Sequence, residues 1–281
     1  MNSALQCLSN VPQLTKYFLT SSTNSNSVSR TYSNLLKGLW TTNNTLSTTP
    51  ALKSLKNAIS GLAPIFTDYQ QQDSHEFMNV LLNAIQLEHS DIERLFLGKI
   101  QSTVICSKCG VPDCTIDDTS FLQLPLPQEK SRLTTISDCV EEFMKEDDLD
   151  GQWHCSTCNG LHDARQKSDI YSLPEVLIIQ LKRFNHDPNR LDKIDINIDY
   201  PLYNLDLTKY VIEKQQQTWM YNLVAVSVHR GQLSGGHYVT YAKNKDTQEW
   251  YEFNDEHVTR INDESTVKTK DAYVLIYLRN D

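Results

Sequence analysis

Two Cys-x-x-Cys pairs, Cys106/Cys109 in "CSKCG" and Cys155/Cys158 in "CSTCN", are the residues of this chain whose spacing points most directly to chemistry. Such a turn sets two thiolates about 4 Å apart on one edge of a tetrahedron, so two turns complete a closed site for a structural Zn2+. Gly110 and Asn159 follow the pairs and can take the positive φ that these knuckles need. The 45 residues between the pairs exceed the span of a simple zinc ribbon. An excursion, such as two strands and the acidic "DCVEEFMKEDD" helix, has to loop out there. The alternative reading is four buried free thiols. Cys7, Cys114 and Cys139 lack comparable partners, and Cys7, on the same helix face as Ala4, reads as core rather than nucleophile.

A second constellation is "LSGGHYVTYAKNKDTQEWYEFNDEHV". Alternation puts His237, Val239 and Tyr241 on one face of a strand, and "EWYEFN" returns antiparallel after a turn near Lys245, Asp246 and Thr247. A turn centred between 245 and 246 sets His237 opposite Asn254; one centred on 246 sets it opposite Asp255. A histidine held through one ring nitrogen by an amide or carboxylate is an oriented general base, the second member of a Cys-His-Asn/Asp arrangement. Gly235 and Gly236 would let a substrate backbone approach closely. A lone strand histidine is more often structural, and His229, which ends the preceding strand, is a rival base. His75-Glu76 resembles half of a metalloprotease motif, but no second histidine follows four residues on.

Several elements must position these groups. Met1, Ala4, Leu5 and Leu8 fall on one helical face, and residues 1 to about 19 read as a helix with no capping residue before Met1. The chain thus reads as starting part-way into a helix. Polar stretches at 20–29 and 41–50 read as loops, flanking short amphipathic helices in "SNLLKGLW" and "ALKSLKNAISGL". Asp73 followed by Glu76 suggests a capping box for a helix with Phe77, Leu81, Ala84 and Ile85 on one face. After residue 98 the pattern turns to β-type runs, among them "KIQSTVIC", "VLIIQLKRF", "YNLVAVSVH" and "DAYVLIYLR". The fold class is α+β, with front helices packed on a sheet.

Composition narrows the partners. Net charge is -9: residues 1–97 carry six basic and six acidic side chains, and 98–281 carry 20 and 29. A chain without a basic footprint is a poor nucleic-acid binder, and a basic protein or peptide suits it better. No signal peptide or membrane span is visible, so the expected location is the cytoplasm or nucleus, a reducing compartment in which paired cysteines favour metal over disulfides.

"MNSALQCLSN", "QQDSHEFMNVLL", the two Cys-x-x-Cys pairs, "LPEVLIIQLKRF", "GGHYVTY" and "WYEFND" resemble, in order, the sequence boxes of ubiquitin-specific proteases. The resemblance implies one papain-like cysteine peptidase domain over 1–281, with a helical thumb (1–97), zinc-ribbon fingers (98–172) and a mainly sheet palm (173–281). It implies hydrolysis of isopeptide bonds at the C-terminal Gly of ubiquitin, with ubiquitin and ubiquitinated proteins as partners. His237 matches the general base, Asn254 the third triad member and Asp255 the acidic residue beside it. Cys106, Cys109, Cys155 and Cys158 match the zinc ligands. Gln72, Asp73 and Glu76 match the box that supports the channel for the ubiquitin tail, and an acidic balance suits a tail carrying arginines. The family's first box reads Asn-x-Cys-(Tyr/Phe)-Met-Asn-Ser, so its nucleophile would lie two residues before Met1. Cys7, about 12 Å further along a helix at 1.5 Å per residue, cannot replace it. The expectation is a protease domain whose sequence starts at an internal Met; the alternative is an inactive ubiquitin-binding pseudoenzyme.

Overall fold

A computed structural model describes residues 1–21, 27–41, 48–68, 70–127, 134–184, 193–213, 218–232 and 235–280. Six helices come first: α1 (Asn2–Ser9), α2 (Pro12–Thr20), α3 (Val28–Trp40), α4 (Thr49–Leu62), α5 (Ser74–Glu88) and α6 (Ser90–Phe96). Strands follow: β1 (Gly98–Cys106), β2 (Pro112–Thr119), β3 (Leu122–Leu124) and β4 (Thr134–Thr135), then α7 (Ile136–Phe143). After it come β5 (Asp147–Asp148), β6 (Trp153–Cys155), β7 (Gly160–His162), β8 (Ala164–Ser172), β9 (Val176–Leu181), β10 (Ile198–Asp199) and β11 (Leu205–Asp206). The chain closes with β12 (Met220–Gln232), β13 (Gly235–Lys243), β14 (Trp250–Asn254), β15 (His257–Arg260) and β16 (Ala272–Arg279). The class is α+β, and no helix among the described residues is long and apolar enough to cross a membrane. Of the two polar stretches read as loops, 22–26 and 42–47 lie outside the described residues, and the end of the first already belongs to α3.

The single helix expected over 1–19 is two helices. Pro12 has no N–H to continue α1 and instead opens α2 at its first position. The carbonyls left at the end of α1 are taken up by side chains: Asn10 donates to Gln6 O at 2.9 Å and Thr15 to Ser9 O at 2.7 Å. At the other end, α1 starts on Met1 with no side-chain cap. Asp73 caps α5 as expected, accepting from the backbone N–H groups of His75 and Glu76 at 2.7 and 3.0 Å. Phe77, Leu81 and Ile85 of α5 are fully buried, each worth about 1.5–3 kcal/mol of transfer free energy; Ala84 is half-buried.

The large sheet runs β15-β14-β13-β12-β16-β9-β3, with β11 also on β12. Both its faces are covered. In β16, Val274 and Ile276 join the core shared with α1 and α5, while Leu275 and Tyr277 join a second core on the opposite face. That is why "AYVLIYLR" reads as a continuous apolar run rather than an alternating one. A second sheet, β2-β1-β8-β5, is mostly polar, and β2 exposes every residue but its last. Arg183 is wholly buried behind β9, where its guanidinium donates to the carbonyls of Ala272, Ile194 and Ile196.

Helices and large sheet are joined by a buried knot of hydroxyls. Ser227 of β12 contacts the Ser3 hydroxyl at 2.8 Å and the Ser74 hydroxyl at 3.1 Å. Thr240 of β13 donates to Ser3 at 2.9 Å, and Ser3 also reaches Val239 O at 3.1 Å. All four side chains are 5% exposed or less. Buried hydroxyls are costly without partners, so the first turns of α1 and α5 can sit only where these strands receive them. Ser227→Ala takes one partner from each of the Ser3 and Ser74 hydroxyls, Ser3 keeping Thr240 and Val239 O, and should lower stability by about 1–3 kcal/mol. Urea unfolding followed by circular dichroism measures the loss; a change within error would show that the knot does not stabilise the fold.

Candidate active site and thiol cluster

His237 lies near the start of β13, on an exposed end of the large sheet. The hairpin that carries it closes at Asn244 and Glu249, whose backbones bond at 2.8 Å, around a four-residue turn in which Gln248 takes φ 59°. The Asn244 side chain fixes the turn by accepting from Asp246 N and Thr247 N. Thr240 therefore faces Phe253 and Lys243 faces Trp250. Neither register expected from the sequence is observed: continued to its end, this one would set His237 opposite Glu256. The longer turn accounts for the shift.

The expected partner is met all the same, on the diagonal. Residues 254 and 256 share a sheet face, so Asn254 is the diagonal neighbour of His237, within reach of a long side chain. His237 Nε2 and Asn254 Oδ1 are 2.6 Å apart. An amide oxygen only accepts, so Nε2 is the donor in this contact, and in the neutral ring Nδ1 is the nitrogen left to accept a proton. Asp255 belongs to the other face by alternation, but with φ 51° it bends back to place a carboxylate oxygen 3.8 Å from Nε2. Asn2 of α1 donates to the same carboxylate at 3.3 Å.

A cleft of about 300 Å³ opens beside the pair, lined by Met1, Asn2 and Ser3, by Gln70, Gln71 and Gln72, and by His237, Tyr238 and Asp255. The first turn of α1, with no acidic side chain of its own, points the positive end of its dipole here. Among the described residues no cysteine lines the cleft. Cys7 is fully buried, its thiol pushed up to about 12 by that burial and directed at Thr240, as expected of a core residue. His229 is not an accessible base: it is 3% exposed, packs against Phe184 and Tyr238, and burial first and Lys193 second lower its pKa. His75 packs edge-on against Phe121, and burial lowers its pKa too.

The four cysteines of the two pairs come together elsewhere. Cys106 ends β1, Cys155 ends β6, and all four Sγ atoms lie within 4.8 Å of one another. Gly110 and Asn159 take φ 72° and 50°, the knuckle conformation expected of them. Backbone N–H donation, from Cys109 foremost, draws the Cys106 thiol down to about 7, while hydrogen bonding to Cys109 holds Cys158 up at about 12. Four soft donors in this arrangement can hold one metal ion in a closed shell. The excursion between the pairs contains β2 to β6 and α7, the last with a full Thr135/Asp138 capping box.

A profile of the ubiquitin carboxyl-terminal hydrolase family matches residues 1–277. The chain belongs to this family. Human ubiquitin carboxyl-terminal hydrolase 2 is 32% identical over 323 aligned residues, covering 99% of this chain and 53% of the human protein. The chain thus spans about half the length of that hydrolase. Two solved structures titled as SAGA DUB modules of Ubp8, Sgf11, Sus1 and Sgf73, one bound to ubiquitin aldehyde and the other to monoubiquitin, cover all of this chain at 27% identity. Their TM-scores are 0.83 and 0.82, and the chain covers 67% and 66% of theirs.

In this member of the hydrolase family the glutamine-rich box sits at the cleft, with its residues in distinct places. Gln72 lines the cleft. Asp73 spends one oxygen capping α5 and accepts from Tyr273 with the other at 2.6 Å. Glu76 is exposed on the first turn of α5. Gln71, which the sequence pattern did not single out, accepts from Gly236 N at 3.0 Å and so joins the box to the histidine strand. Gly236 has no room for a side chain: a Cβ would strike the His229 ring and lie 2.7 Å from Arg230 O. Gly235 has open space around it. Gly236→Ala should therefore cost about 1–3 kcal/mol by overpacking, and Gly235→Ala much less. Thermal unfolding of both variants compares them; equal losses would deny the packing role of Gly236.

Proposed function

We propose that this chain is the catalytic domain of a thiol-dependent deubiquitinase that hydrolyses isopeptide bonds at the C-terminal Gly of ubiquitin. The observation that carries the proposal is the His237–Asn254 pair at 2.6 Å, at the mouth of a cleft lined by the start of α1. On this reading the nucleophile is a cysteine thiolate at the positive end of α1, where helix dipole and imidazolium favour that form. His237 Nδ1 takes the thiol proton. The thiolate adds to the carbonyl carbon of the ubiquitin C-terminal Gly, and the imidazolium returns that proton to the leaving lysine amine as the C–N bond breaks. Water, deprotonated by the same imidazole, then hydrolyses the thioester. Asn254 keeps the ring in the working tautomer, and Asp255 supports it from the side.

The ubiquitin tail would run past Gln72, Asp73 and Glu76 on one side and Gly235 and Gly236 on the other. Glu76, exposed beyond the capped turn, offers a carboxylate to a tail arginine. Residues 1–97 would act as thumb, 98–172 as fingers and 173–281 mainly as palm, with ubiquitin between them. Ubiquitinated proteins would be the substrates, and the acidic balance argues against nucleic acid.

The chain of 281 residues should bind ubiquitin yet leave a ubiquitin C-terminal fluorogenic reporter uncleaved. An extended protein that places a cysteine two residues before Met1 should cleave the reporter, and a thiol-alkylating reagent should abolish this. In the extended protein Asn254→Ala should lower kcat by at least about tenfold, a scale set by the far larger loss on disturbing a triad carboxylate, and should leave ubiquitin affinity nearly unchanged. No cleavage by the extended protein, with binding intact, would favour the pseudoenzyme.

The thiol cluster fits a structural Zn2+: Cys106, Cys109, Cys155 and Cys158, close together, would supply all four ligands of a tetrahedral shell and leave no open position. Metal analysis of the purified chain should find one zinc per molecule. Cys155→Ser should lose the metal and lower the unfolding temperature, because metal affinity here adds to folding free energy. Full stability of Cys155→Ser with no metal in the parent chain would refute the assignment.

A further inference from the structure

The backbone ladder between the two strands of the His237 hairpin stops short of the residues that matter. Pairing of β13 with β14 ends at Thr240 opposite Phe253. Beyond that point His237 is paired backward, to Arg230 of β12, and Asn254 is paired forward, to His257 of β15. The two groups joined by the 2.6 Å bond thus stand on separate backbone ladders, with no ladder pair between them.

What spans the gap is an ion pair. Arg230, directly opposite His237, reaches over β13 with one terminal nitrogen, 3.1 Å from Glu252 Oε1 and 2.7 Å from the Tyr241 hydroxyl. Glu252 stands two residues before Asn254 and directly opposite Tyr241. By alternation, Arg230, His237, Tyr241, Glu252 and Asn254 all belong to one face of the sheet. The strap therefore runs from the partner of His237 to the residue that precedes Asn254 on the same face. Neither end is fully exposed: the side chains of Arg230 and Glu252 are 44% and 28% accessible.

We propose that Arg230 and Glu252 are positioning residues, a side-chain strap between β12 and β14 that holds the amide of Asn254 on the imidazole of His237. The proposal takes its catalytic consequence from the function proposed above, but its structural content stands apart. Cutting the strap leaves the hairpin ladder intact and lets Asn254 drift from the ring, so the fraction of His237 held as the Nε2–H tautomer falls. A charge-reversed pair restores the link.

Nitrogen-15 histidine NMR on the 281-residue chain tests this without any turnover. Arg230→Gln and Glu252→Gln should each shift the His237 nitrogen signals toward a mixture of tautomers, and the double variant Arg230→Glu/Glu252→Arg should move them back. In the extended protein the two single variants should lower kcat about fivefold, the scale of one partly exposed ion pair, with KM within twofold and partial rescue in the double variant. Raising ionic strength should reduce activity of the parent more than that of either single variant. Unchanged His237 nitrogen shifts in both single variants would overturn the strap. An inactive extended protein with the tautomer shift present would overturn the deubiquitinase reading instead.

Discussion

The arrangement depends most on the hydroxyl knot in which Ser3, Ser74, Ser227 and Thr240 satisfy one another beneath the cleft. Each is small, and each comes from a different element: α1, α5, β12 and β13. An apolar contact would allow these elements to slide; interlocked hydroxyls in a dry interior do not, because a shift of an ångström leaves a polar group unpaired. The knot thereby fixes two helix starts against the strand that carries His237. The cleft lies between the surfaces it holds together.

Above this layer the site shares its parts with the fold. Asp73 is a helix cap and a Tyr273 partner as well as a member of the glutamine-rich box. Gly236 gives a backbone N–H to Gln71 while making room for the His229 ring. His229, buried and uncharged by preference, packs against Tyr238, the neighbour of His237 on β13. Residues that look dispensable to the chemistry set the height and tilt of those that are not.

Much of this was legible in the sequence. The Cys-x-x-Cys pairs and the α5 cap follow from local rules of spacing and capping, whereas alternation left Asn254 and Asp255 both open as the partner of His237 and the family resemblance chose Asn254. Failures came where tertiary context or turn length decided. The break at Pro12 interrupts an apolar periodicity that otherwise runs on, and the hairpin turn is longer than the one centred on residues 245 and 246. The partnership survived that register error because diagonal neighbours share a face as surely as opposite ones do. β2 and β8, in "PDCTIDDT" and "ARQKSDIYS", carry too few buried side chains to produce a hydrophobic pattern. Gln71 acts through a hydrogen bond to a residue 165 positions away, and no local signal marks it.

The polar sheet combines one local pairing with one long-range pairing. β1 and β2 form a local hairpin across the first cysteine knuckle, whereas the pairing of Cys106 with Ala164 closes a loop that holds everything from β3 to β7. Closing so long an excursion costs chain entropy before any contact compensates. The four sulfurs gather where the two ends of that excursion meet, so a metal ion held there would act as a reversible cross-link, fastening a long-range strand pair that has little apolar surface to fasten itself.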